Sequence, residues 1–65
     1  MVYDIRVRGQ MGSSIAATFD DFEITTGPGT TTLRGDVVDQ AALHGIINRI
    51  ERLGLVLLDV HAEAE

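Results

Sequence analysis

The sequence predicts an α+β fold. It is a compact ferredoxin-like (split βαβ) sandwich of order β-(short α)-β-β-α-β, with one main helix on a four-stranded, mainly antiparallel sheet. Three observations predict it. Four separate stretches read as strands: Val2 to Arg8 and Phe22 to Thr26 alternate apolar and polar residues, Thr30 to Val37 is rich in β-branched Thr, and Leu55 to Ala62 is the last. Leu43, Ile46, Ile47, Ile50 and Leu53 recur at helical spacing between the third and fourth of these stretches. Gly27-Pro28-Gly29 is a turn signal that joins the second stretch to the third as a hairpin.

The first strand covers Val2 to Arg8. Tyr3, Ile5 and Val7 point to the core; Asp4, Arg6 and Arg8 point away. In Gly12-Ser13-Ser14 a serine is the expected N-cap of a short helix through Phe19. Asp20 and Asp21 oppose the helix dipole and should end it early. Phe22 to Thr26 is the second strand. Pro28 presets φ at the second turn position and Gly29 supplies the positive φ of the third, as a type II turn requires. Thr30 to Val37 is the third strand, with Leu33 and Val37 facing the core and Thr30, Thr32, Arg34 and Asp36 facing out.

Asp39 is the expected cap of the long helix, with Val38 and Leu43 at the hydrophobic-staple positions. Arg49 and Arg52 complement the dipole near its end, and Gly54 is the expected left-handed residue that stops it, with Leu55 folding back onto Ile50. Leu55 to Ala62 is the last strand. Val56, Leu58 and Val60 are expected on one face and Leu57, Asp59 and His61 on the other. Glu63-Ala64-Glu65 reads as a frayed acidic end. The helix leaves one sheet face open, lined by Asp4, Arg6, Arg8, Glu23, Thr25, Thr32, Arg34, Leu57, Asp59 and His61.

Composition bounds the function. Sixty-five residues make one domain, residues 1–65. No apolar run reaches the roughly 18–20 residues of a membrane helix. The first strand follows Met1 at once, with no apolar leader segment. The chain has no Cys, hence no disulfide or thiolate metal site, which suits a reducing compartment. A net charge of −5 argues against broad nucleic-acid binding. A domain this small buries a limited core, so a partner subunit is expected to help stabilise it.

Five features are candidate sites. Gln40, His44 and Glu51 fall along one edge of the helical stripe, with Asn48 a turn beyond His44. An imidazole among amide and carboxylate groups can bind a ligand or act as a general base. The plainer reading is local hydrogen bonding. Gly45 costs roughly 1 kcal/mol inside a helix and lies away from the stripe. With Ala41 one turn earlier it would let another backbone approach, so Ala41, Gly45, Asn48 and Arg52 are a candidate interface with a second copy. A metal site on His44 and His61, or on His61, Glu63 and Glu65, lacks a tetrahedral ligand set, and the plainer reading is a solvated polar face. Gly27-Pro28-Gly29-Thr30 lacks the Lys and helix start of a phosphate loop. Arg6, Arg8 and Arg34 stand on a face without the aromatics that stack on RNA bases.

Thr32-Leu33-Arg34-Gly35, Val38-Asp39-Gln40-Ala41-Ala42-Leu43-His44-Gly45, Asn48-Arg49-Ile50, Leu53-Gly54-Leu55 and Leu57-Leu58-Asp59-Val60 resemble the hallmark of a widespread family of small bacterial proteins. The segments Tyr3-Asp4-Ile5-Arg6-Val7 with Gly9, and Phe19 to Ile24, also fit. Many relatives carry Trp where this chain has Ile15 and Thr18. The resemblance implies a complete, free-standing cytoplasmic protein and no particular activity. The expectation is a non-enzymatic protein that works through self-association, as a dimer, or through contact with another protein. No cofactor, metal, nucleic acid or membrane is expected. The alternative is a small-ligand or acid–base site around His44 at a subunit interface.

Overall fold

The computed structural model describes residues 1–63; Ala64 and Glu65, the end of the expected acidic tail, lie outside the described residues. The elements are β1 (Val2–Arg8), α1 (Ser13–Ala16) continued by a 3-10 turn (Ala17–Phe19), β2 (Glu23–Gly27), β3 (Thr30–Asp36), α2 (Gln40–Arg52) and β4 (Leu57–Ala62). The fold is α+β, with one four-stranded sheet in the order β2-β3-β1-β4. Each neighbouring pair is antiparallel, so β1 and β2 run parallel with β3 between them.

The core lies between one sheet face and the helices. Ile5, Val7, Phe19, Leu33 and Ile50 are buried, with Tyr3, Ile24, Leu43, Ile46, Leu57 and Val60 packed around them. Strand parity explains the set: Ile5 pairs with Leu33 and Val7 with Thr31, and side chains two apart share a face. Thr31 is fully buried at a core position. Its hydroxyl donates to the Gly9 carbonyl at 2.8 Å, which removes the penalty of burying an unpaired polar group.

The β2–β3 turn has the expected form, with Gly29 at φ +74°. In α2 the Asp39 carboxylate accepts from the Ala42 N–H at 2.8 Å. Asp39→Ala is expected to lower stability by about 1 kcal/mol, read by thermal unfolding. At the other end Gly54 has φ +77°, and its N–H and that of Leu55 donate to the Glu51 and Ile50 carbonyls, each at 3.1 Å. That pair of bonds is the Schellman stop expected from the sequence.

Five sequence expectations are corrected. Gly12, not a serine, caps α1, and no side chain bonds there, because Ser13 is already helical. Val38 does not staple α2 and is 81 % exposed. Val37 continues the inward parity of Thr31, Leu33 and Gly35 and takes the buried position, which turns Val38 outward. Leu53 is exposed at the helix cap, and Leu55, beyond the glycine reversal, packs on the core instead. In β4 the expected faces hold for Asp59, Val60 and His61 but are exchanged for Val56, Leu57 and Leu58, on the other side of a bulge. The register shifts by one residue between Arg6 and Val7, so Arg6 pairs with Asp59 and Val7 with Leu57. Leu58 is the extra residue of this bulge; Leu57 turns to the core with Val60, while Val56 and Leu58 are left exposed. Leu57 accordingly leaves the open face, and β4 itself begins at Leu57 instead of Leu55.

Candidate functional site

Three surfaces carry chemistry. The first is the solvent side of α2. Ala42, Ile46 and Arg49 line a cleft against the Thr18–Phe22 segment, which fixes one flank of the helix. At about 100° per residue, Gln40, His44 and Glu51 fall on the opposite flank, while Ala41, Gly45, Asn48 and Arg52 point away from the sheet. All of these residues are exposed. The helix thus brings Gln40, His44 and Glu51 to one line, with Asn48 turned away from it. Among the described residues a Cβ built on Gly45 meets nothing within 4 Å, so no contact described within the chain calls for a glycine there.

The second surface is the open sheet face. His61 stands on it, opposite Asp4 in the register, whereas α2 and His44 lie on the other side of the sheet. The two histidines therefore cannot share a ligand. Arg34 Nη1 donates to both oxygens of Asp4 at 3.0 and 3.1 Å, and Arg34 also pairs with Glu63. Hydrogen bonding to Glu63 first, then to Asp4, raises the guanidinium pKa above its ordinary value. The group of three reaches from β3 across β1 to the end of β4. Sequence reading placed Asp4 and Arg34 on this face but not together, and took Glu63 for frayed chain. The signal was available only with the strand order, which sets Asp4 opposite Arg34. Asp4, Glu23, Asp59 and Glu63 outnumber Arg6, Arg8 and Arg34 here, so the face carries mixed charge with an acidic excess.

The third is the cleft itself, of about 270 Å³, lined by Thr18, Phe19, Asp21, Phe22, Asp36, Val38, Ala42, Ile46 and Arg49. It lies just below the usual range of ligand clefts, roughly 300–1,000 Å³. Arg49 Nη1 donates to the Thr18 carbonyl at 2.8 Å, and its guanidinium sits 5.2 Å from the centroid of the Phe19 ring. Arg49 is thereby held as a strut between α2 and the 3-10 turn, a cation–π contact worth about 0.5–1 kcal/mol at an exposed site. Sequence reading gave Arg49 only its dipole role. Among the described residues no group of three or more His, Asp or Glu side chains is arranged to hold a metal ion. No described helix is long and apolar enough to cross a membrane.

Comparison with curated proteins and with solved structures finds no match. A family model described as a domain of unknown function matches residues 2–61. That match takes in every strand and helix described above except Ala62, the last residue of β4, and the chain belongs to this family, DUF8691.

Proposed function

We propose that this is a non-enzymatic protein that acts by contact with another polypeptide, either a second copy of itself or a different protein, through the outward face of α2. The observation that carries the reading is Gly45. It sits in the middle of a thirteen-residue helix, where glycine costs about 1 kcal/mol relative to alanine. Among the described residues nothing uses the space its missing side chain leaves. With Ala41 one turn before it, and Asn48 and Arg52 after it, the face offers close backbone approach framed by polar groups. The alternative, a ligand or acid–base site around His44 at a subunit interface, would draw on Gln40, His44, Asn48 and Glu51, which are exposed in the single chain. We read the fold as the compact ferredoxin-like form. Its strand order, taken from the β4 edge, runs 4-1-3-2, and each helix links two parallel strands across an intervening one. We place the protein in a bacterial cytoplasm, a reading that the absence of Cys supports.

The test is molar mass by light scattering over a wide concentration range, for the parent and for Gly45→Leu. Gly45→Ala gives the control for folding: it is expected to raise stability by up to about 1 kcal/mol, because alanine suits a helix and meets no neighbour. The parent is expected to exceed the mass of one chain, and Gly45→Leu to remain folded with a lower mass. A Gly45→Leu variant that keeps both its circular dichroism and the parent's mass overturns the placement on α2.

A further inference from the structure

We infer that a second copy of the chain adds to the free edge of β4, strand against strand about a two-fold axis, so that two four-stranded sheets become one of eight. The inference rests on the reading of the protein as self-associating, but it uses a different surface, since Gly45 points away from the sheet.

The hydrogen-bond register identifies the unpaired groups. The Glu63 N–H donates to the Val2 carbonyl at 2.8 Å, and the β1–β4 pairs from Tyr3–Ala62 to Ile5–Val60 keep that register. In an antiparallel pair, backbone groups alternate between the two sides of a strand. Glu63 and His61 therefore face β1, and the N–H and C=O groups of Val60 and Ala62 face outward. An edge of this kind pairs with any strand of matching register.

Two observations choose a second copy as the occupant. The first is charge. Antiparallel pairing centred on Val60 takes in the whole of Leu57–Glu63. It sets Asp59 opposite the partner's His61, and His61 opposite the partner's Asp59, so each imidazole can donate to a carboxylate twice over by symmetry. Centring on His61 instead would set Asp59 against the partner's Glu63, a like-charge pair. Within the chain Asp59 faces Arg6 and His61 faces Asp4, so the cross-copy pairs extend an alternating row of charge. The second observation is apolar surface. Of the large apolar residues left exposed among the described residues, Val56 and Leu58 lie at the entry to β4 and in its bulge, and Leu53 at the α2 cap just before them, while Met1 and Val38 lie elsewhere. The Val60-centred register lays Leu58 beside the partner's Ala62. The β2 edge has neither property: its outward side chains, Glu23 and Thr25, offer no opposite charges to each other, and no exposed large apolar residue lies on it.

Leu58→Lys places a charge beside the edge, and Ala62→Pro removes an N–H that the β1 ladder does not use. Both are made in the parent and in Gly45→Leu. Light scattering gives the mass, and amide hydrogen exchange is followed at low and high concentration. The expected results are an about twofold loss of mass in each edge variant and amides of Val60 and Ala62 that slow with concentration in the parent. Glu63 and His61 should be protected at every concentration. A monomeric parent, or folded edge variants that keep the parent's mass, overturns the inference. So does exchange at Val60 and Ala62 that ignores concentration. If only Gly45→Leu lowers the mass, the α2 reading stands and the β4 pairing falls; if only the edge variants do, the reverse holds.

Discussion

Phe19→Ala is expected to leave the chain largely unfolded at 25 °C. Phe19 is 1 % exposed and is the largest fully buried side chain. Its ring meets Phe22 edge-on, with centroids 6.5 Å apart and planes at 84°, and carries the Arg49 guanidinium on its face. Truncating a buried Phe costs about 3–5 kcal/mol, through lost burial and the cavity it leaves. A domain below about 70–80 residues rarely holds more than about 3–5 kcal/mol from its core. The loss thus equals the whole margin. Circular dichroism and amide dispersion in an NMR spectrum check the result, and a variant with native dispersion and an unchanged unfolding midpoint contradicts it.

Gly35→Ala is expected to cost about 1–3 kcal/mol, although it adds a single methyl group. A Cβ on Gly35 would lie 2.6 Å from Cδ2 of Phe22, 2.8 Å from Cε2 and 3.0 Å from Cγ. The clash is with the body of a ring, not with a flexible tip, so Phe22 must turn away and give up its edge-on contact with Phe19. A double-mutant cycle separates this cause from a loss of strand flexibility. In a Phe22→Leu background, Gly35→Ala should cost clearly less than it does in the parent. Equal costs in the two backgrounds would exclude the ring as the reason.

These residues also mark where the sequence could be read and where it could not. The ends of β1 were legible because charged residues alternate strictly with Tyr3, Ile5 and Val7. α2 was legible because its cap, its stripe and its glycine stop agree with one another. β4 was misread because Val56, Leu57 and Leu58 are all apolar. No polar residue marks a face there, and a one-residue bulge inverts the parity on one side of it. Gly35 had a signal, since a glycine inside a strand often marks close approach of another group, but naming Phe22 needed the fold. The candidate residues on α2 were placed by helical spacing alone, and the structure leaves them on the lines that spacing drew. The pairing of Arg34 with Glu63 was hidden because it spans three strands whose order the sequence does not state.

The sheet register also bears on the path by which the chain finds its fold. Among the described strands, only the β2–β3 hairpin pairs neighbours in sequence, through the tight turn at Pro28 and Gly29. β1, a central strand, gains no partner until β3 or β4 reaches it from far along the chain. Loop-closure entropy must be met before those contacts form, which slows a topology of this kind relative to a helical bundle of equal length. The hairpin is the natural nucleus. On this reasoning β1 is expected to dock beside β3 next, and β4, whose end is tied by Glu63 to Arg34, to close last. Until it does, β1 presents a bare edge in the middle of what will become the sheet, and that interval is when the chain is most exposed to pairing with the wrong strand.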